Sequence, residues 1–239
     1  MTRRARFLLP LVPVALLAVA DVALNLLALR DGVFLGRAVA PFDPPLFNDA
    51  QREALARIRR GEVKGGVRFD AELGWEPDPA TGAYGPLGER LAPVDDDPPT
   101  ARRLAVFGGS FTHGDEVDAD EAWPAVIDRM RDDWDVLNLG VGAYGPDQAF
   151  LRWRRLKDRL DADEVWLGVM PAAAPRVVTV YRPALRHHDG SISFKPRFVV
   201  VDGGALRLVA NPARPLADVA RLVDDQRAVL AATLGGAAW

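Results

Sequence analysis

The sequence predicts an α/β domain built on a parallel sheet, placed behind one apolar N-terminal helix. Three observations carry this reading. From Leu104 onward, short apolar runs alternate with amphipathic stretches at helical spacing, the pattern of a sheet flanked by helices. The stretch LAVFGGSFTHG, from Leu104 to Gly114, reads as a buried strand that breaks at two glycines. It presents Ser110 where a hydroxyl and a backbone N–H face a cleft at the carboxyl edge of the sheet. Near the start of the chain, Phe7 to Leu29 is an apolar run between arginines.

That run would extend about 34 Å as a helix, against a hydrocarbon core of roughly 30 Å. Arg3, Arg4 and Arg6 precede it and Arg30 closes it, which predicts a cytoplasmic start and an exported remainder. It reads either as an uncleaved anchor, with Asp21 and Asn25 one helical turn apart, or as a signal peptide cleaved after Ala18-Val19-Ala20. Both readings place residues 31–239 outside the cytoplasm, at the cell membrane or secreted. The expected organisation is an anchor or signal segment over 1–30, a linker and irregular lead-in over 31–103, and an α/β domain over 104–239.

The lead-in is rich in proline, glycine and acids (DPP, EPDP, DDDPP) and shows little periodicity. One short helix is expected across Asn48 to Arg60, with Asn48 as N-cap and Ala54 and Ile58 on its apolar stripe. Leu104–Phe107 is the first strand of the domain. Glu121 to Met130 follows as a helix with Asp120 as N-cap and Pro124 near the first turn, turning Trp123, Val126, Ile127 and Met130 to the sheet. Asp135–Leu139 is the second strand, ending in NLGVGAYG. Asp147–Leu160 is a helix with Phe150, Trp153, Leu156 and Leu160 as its buried stripe, and Arg152, Arg154, Arg155, Lys157 and Arg159 on a solvated face. Val165–Met170 is the third strand. Arg197–Val201 and Ala205–Val209 form a hairpin around Asp202-Gly203-Gly204. Leu216–Leu234 is a last amphipathic helix. Three parallel strands are fewer than doubly wound domains usually carry, so the sheet is expected to be incomplete.

Composition excludes several classes of function. With 239 residues, 49% of them hydrophobic, the chain is long enough for a real core. A net charge of −3 and no extended Lys/Arg block argue against nucleic acid as a partner. The absence of cysteine removes disulfides, thiol nucleophiles and zinc–thiolate sites. Nothing suggests a nucleotide or metal cofactor. Histidine occurs three times, as His113, His187 and His188.

The ordered segments ELGWEPDP, RLAVFGGSFTHGDEV, DVLNLGVGAYGPDQ and EVWLGVM resemble the SGNH (GDSL-type) serine hydrolase family, over roughly Leu73 to Asn211. The tail VYRP…KPRFVVVDGGALRLVANP is similar to a bacterial, membrane-anchored branch of it. The resemblance implies a three-layer α/β/α sandwich and an esterase or acyl-transferase, with acylated envelope glycan or a lipid ester as partner. Trp123, Asn138 and Gly140 fit the family pattern. By position, Ser110 matches the nucleophile, and the backbone N–H groups of Ser110 and Ala143 would hold the oxyanion. The chain departs from the pattern at four places. Gly109 stands where the family has Asp, Ala143 where it has glycine, and Ala173 where it has the oxyanion asparagine. No histidine follows Asn211 to supply the D-x-x-H pair. Alanine at 143 costs about 1 kcal/mol or more if that turn needs φ > 0. Loss of the asparagine donor removes about 3–4 kcal/mol of transition-state stabilisation.

His113 reads as lining the cleft or exposed, with Asp115 or Glu116 as its nearest carboxylates. His187-His188-Asp189 reads as a solvated loop; a base in either place is the alternative. Three readings therefore stand: an exported serine hydrolase, a catalytically inactive anchored binding module, and a truncated reading frame.

Overall fold

The computed structural model describes residues 15–20, 33–34, 37–38, 47–63, 65–93, 102–185 and 190–225. The chain forms two compact units, Met1–Leu46 and Phe47–Trp239. In the first, residues 15–20 are helical, and Val33–Phe34 pairs antiparallel with Arg37–Ala38. The rest of the predicted apolar helix lies outside the described residues. No described helix is long and apolar enough to cross a membrane.

The second unit is a mixed α/β fold. Helix α1 (Asp49–Arg59) starts at a capping box: Asn48 Oδ1 accepts from the Gln51 N–H at 2.8 Å, and Gln51 Oε1 accepts from the Asn48 N–H at 3.1 Å. Its buried Ala54, Leu55 and Ile58 pack with Val180, Phe194 and Val219. Where an irregular lead-in was expected, β1 (Val67–Asp70) and β2 (Gly74–Pro77) form an antiparallel hairpin. Asp70 makes its turn, its Oδ1 accepting from the N–H groups of Glu72 at 2.9 Å and Leu73 at 2.6 Å.

Strand β3 (Arg102–Gly108) leads into the four-residue helix α2 (Ser110–His113). Helix α3 (Trp123–Met130), strand β4 (Trp134–Asn138), helix α4 (Pro146–Leu156) and strand β5 (Glu164–Gly168) follow. The three strands make one parallel sheet in the order β4–β3–β5, with Leu104 opposite both Val136 and Glu164. The side-chain alternation of β3 feeds two separate cores. Ala105 and Phe107 join Ala149, Leu156 and Leu160 of the α4 region, whereas Leu104 and Val106 join Trp134, Trp123 and Val136 beside α3. Both faces of the central strand are thereby covered, as a parallel sheet requires.

After β5 come the short helices α5 (Pro175–Val178) and α6 (Arg182–Leu185). The hairpin β6 (Arg197–Val200) and β7 (Leu206–Val209) turns through Gly203 and Gly204, both at φ near +80°. Helix α7 (Leu216–Asp224) ends at Asp225, whose backbone is extended, so the single helix expected over Leu216–Leu234 stops there; residues 226–234 lie outside the described set.

Several details correct the expectations. The N-cap of α3 is Ala122 rather than Asp120, and Met130, the last residue of the helix, is 75% exposed rather than turned to the sheet. Phe150 is exposed and meets the rings of Trp153 and Phe198 rather than the core beneath α4. Arg152 is buried, donating to the carbonyls of Leu87 at 2.9 Å and Gly88 at 3.1 Å. Arg155 is half-buried in a carboxylate cluster of Asp70, Glu72 and Glu76. The lead-in segment covers that side of α4, so two of the five basic residues leave the solvated face.

Candidate functional site

Ser110 is the first residue of α2, immediately beyond the carboxyl end of the central strand. The turn is closed by backbone bonds from Thr112 and His113 N–H to Gly109 O, at 3.0 and 2.9 Å, and from Gly114 N–H to Ser110 O at 2.8 Å. Arg90 holds it from outside, donating to the carbonyls of His113 and Gly114 at 2.7 Å and of Val117 at 2.9 Å. A buried Thr112 anchors α2 against the sheet. Gly140 follows the Asn138 side chain, which accepts its N–H at 3.1 Å and donates to His113 O at 3.3 Å. Short-range backbone bonds, braced by the distant side chains of Arg90 and Asn138, thus fix both loops at the strand ends.

A cleft of about 300 Å³ opens at Ser110. Its walls come from Gly108–Thr112, Trp123, the Tyr144–Pro146 loop, Ala149 and the segment after β5, with Ala173 and Arg176. Ser110 therefore stands where the sequence places it, at a cleft beyond the central strand, and Ala173 lines the same cleft with a methyl group. Ala143 is not among the lining residues. Its neighbours Tyr144 and Gly145 are, while Ala143 lines a cavity of about 370 Å³ with Trp75 and Arg182. Ala143 has φ +68°, so the turn does need the left-handed conformation that disfavours alanine. Trp75 Nε1–H to Gly142 O at 3.1 Å and Arg182 Nη1–H to Ala143 O at 3.4 Å hold it there.

Gly109 is sterically required as the structure stands. A β-carbon at 109 would lie 2.9 Å from Tyr144 O and 3.4 Å from Arg176 Nη1. Arg176, itself buried, donates from Nη1 to that same carbonyl at 2.9 Å. Arg176 is the charged residue among the described residues that line the cleft, and the sequence reading missed it; the signal available was its being the first charge after the third strand.

His113 is the one imidazole among the described residues, since His187 and His188 lie outside them. It is absent from the cleft walls. Its Nε2 is 3.0 Å from the hydroxyl of Tyr84, whose pKa burial pushes up. Its Nδ1 lies 2.6 Å from Asp115 Oδ1, in ion-pair contact when protonated but without the alignment of a hydrogen bond. Asp115, not Glu116, is thus its carboxylate. Among the described residues no group of three or more His, Asp and Glu side chains is arranged to hold a metal ion. Chemically, the cleft walls carry the hydroxyl-bearing residues Ser110, Thr112 and Tyr144, backbone N–H groups and the Arg176 guanidinium, with no imidazole or carboxylate among the described residues that line it. No protein-family model matches the chain, and comparison with curated proteins found no match.

Proposed function

We propose that this chain is an envelope-facing module of SGNH-hydrolase-like, three-layer architecture. In this reading the Ser110 cleft holds an acylated glycan or lipid-ester ligand without cleaving it. The observation that carries the reading is the placement of His113. A serine hydroxyl becomes a nucleophile only with a base within hydrogen-bond reach. The described imidazole is turned to Tyr84 and Asp115 and lines no part of the cleft. By the resemblance, Ala173 and Gly109 take the positions of an oxyanion donor and an ordering carboxylate, and both line the cleft without supplying either group. Export and membrane attachment rest on the arginine-flanked apolar run of the N-terminus.

A hydrolase is the second reading, favoured by one observation: the left-handed turn at Ala143 keeps the backbone form a glycine would take beside the cleft. The two separate in one assay. The full chain, purified in detergent, is incubated with p-nitrophenyl acetate beside its Ser110→Ala variant. The binding module gives equal, background rates for both; turnover that disappears with the hydroxyl overturns it.

A further inference from the structure

A second cavity, of about 330 Å³, shares no described lining residue with the Ser110 cleft. Its walls come from α4, the β1–β2 turn and the segment between β7 and α7. Three arginines line it, Arg154, Arg155 and Arg214, against one acidic residue, Glu72. Arg155 is committed to Asp70, Glu72 and Glu76. The exposed guanidiniums of Arg154 and Arg214 have no partner among the described residues. Asp218 accepts the backbone N–H of Arg214 at 3.0 Å, but its carboxylate is paired with Arg221. The carboxylates nearby, Asp70, Glu72, Glu76 and Asp218, are met by Arg68, Arg155 and Arg221, and Arg154 and Arg214 then leave the neighbourhood net positive. Asn211 lines the same cavity and is 2% exposed. Its Oδ1 accepts the Ala213 N–H at 3.2 Å, which fixes the amide's orientation, and its Nδ2 has no hydrogen-bond partner. A buried donor left unmet costs about 1–3 kcal/mol, so this amide calls for an acceptor.

We infer that this cavity binds a phosphate group, held by Arg154 and Arg214 with the Asn211 amide as a neutral donor. The unmet groups are all donors, which selects a ligand that only accepts, and two of them are cations, which selects an anion. The fork of arginine matches phosphate oxygens in pairs. The donors come from separate elements, α4 and the β7–α7 segment. A tetrahedral oxyanion offers acceptors in several directions, whereas a carboxylate confines them to one plane, so phosphate suits this donor set better. Leu151 and Leu208 on the same walls would cover the carbon skeleton of a phosphomonoester. The site stands apart from the reading of the Ser110 cleft and does not depend on it.

The probes are inorganic phosphate and glycerol 3-phosphate, titrated into the full chain in a phosphate-free buffer by calorimetry or phosphorus NMR. Arg154→Gln and Arg214→Gln should each weaken binding about fivefold or more, the loss of one charge-assisted contact. Both side chains are exposed and unpaired, so the thermal midpoint without ligand should stay where it is. Asn211→Asp keeps an acceptor for the Ala213 N–H but replaces the donor with a carboxylate oxygen, and should abolish binding. Should that variant fail to fold, the two arginine variants decide the matter. Arg159→Gln removes an exposed arginine outside the cavity and should leave binding unchanged. Tighter binding of glycerol 3-phosphate would assign the site to a phosphomonoester such as a lipid headgroup, and equal or tighter binding of inorganic phosphate to the free ion; either supports the site. No binding of either probe at millimolar concentration, binding that both arginine variants leave unchanged, or an equal loss with Arg159→Gln would each overturn the inference.

Discussion

The hydroxyl of Tyr84 and Nε2 of His113 meet at 3.0 Å, joining the lead-in segment to the turn that follows Ser110. The contact is tilted as well as polar, with ring centroids 5.8 Å apart. It occupies the ring nitrogen that a hydrolytic histidine would turn toward its serine. Removing the hydroxyl tests what this contact does. Tyr84→Phe is expected to lower unfolding free energy by about 1 kcal/mol, the net worth of one partly buried hydrogen bond. Urea denaturation reads that loss, and ester turnover should remain at background.

Ala143 holds φ +68° in a turn where the backbone carbonyls of residues 142, 143 and 144 each accept a side-chain donor. Those three bonds keep the turn left-handed against the preference of alanine. Glycine relieves the strain but enters with a more flexible unfolded chain, so the two effects partly cancel. Ala143→Gly is expected to stabilise by about 0.5–1 kcal/mol, read as a rise in thermal midpoint. A fall in midpoint would mean that the turn carries no such strain.

Where the sequence was legible, the reason was local. The apolar run of β3, the glycine break at Ser110, the two later strands and the Asp202–Gly204 turn are each specified by neighbouring residues. The N-cap at Asn48 is likewise a short-range device, to which the structure adds the reciprocal bond from Gln51. What was missed depends on distant partners. The β1–β2 hairpin has its turn signal in Asp70 and Gly74, but the surrounding prolines and acids masked it. Arg152 and Arg155 look solvated on a helical wheel and become buried only because residues 70–88 lie across them. Arg90, Tyr84 and Arg176 carry no motif; each acquires its place from carbonyls or a ring far along the chain. The contact of His113 with Tyr84 spans 29 residues, beyond any spacing rule.

The same carboxylate cluster makes stability pH-dependent. Burial pushes the Asp70 carboxyl up, but the Arg155 guanidinium and the Leu73 and Glu72 N–H groups outweigh it, and the net shift is downward. Arg155 grips both Asp70 oxygens, at 2.8 and 2.9 Å. A carboxyl whose folded pKa lies below its unfolded value contributes stability that is complete above the ordinary aspartate range, near 3.9, and is lost as pH falls through the folded value. Acid denaturation should therefore show a loss below about pH 4 that Asp70→Asn removes. At neutral pH the same variant should cost about 1.5–3 kcal/mol, the range for charge-assisted hydrogen bonds. A parent and variant with parallel stability curves from pH 7 to pH 3 would contradict this.

Lys195 and Asp147 form the most deeply buried ion pair among the described residues, with 7% and 1% of their side chains exposed and 2.5 Å between Nζ and Oδ2. Lys195 also donates to Pro196 O at 2.9 Å, whereas Asp147 Oδ1 has no hydrogen-bond partner. Burial pushes the lysine down and the aspartate up, each opposed by the other's charge. Such a pair gains little over an apolar replacement of both members, yet losing one member strands a charge in a dry interior. Asp147 directly follows Pro146 of the cleft wall, so the stranded charge would also loosen the Tyr144–Pro146 loop. Lys195→Met is expected to cost about 3–5 kcal/mol, and the double variant with Asp147→Leu to recover most of it. Equilibrium denaturation of the four proteins in the cycle measures the coupling. Additive losses would show that Lys195 and Asp147 act separately, despite their contact.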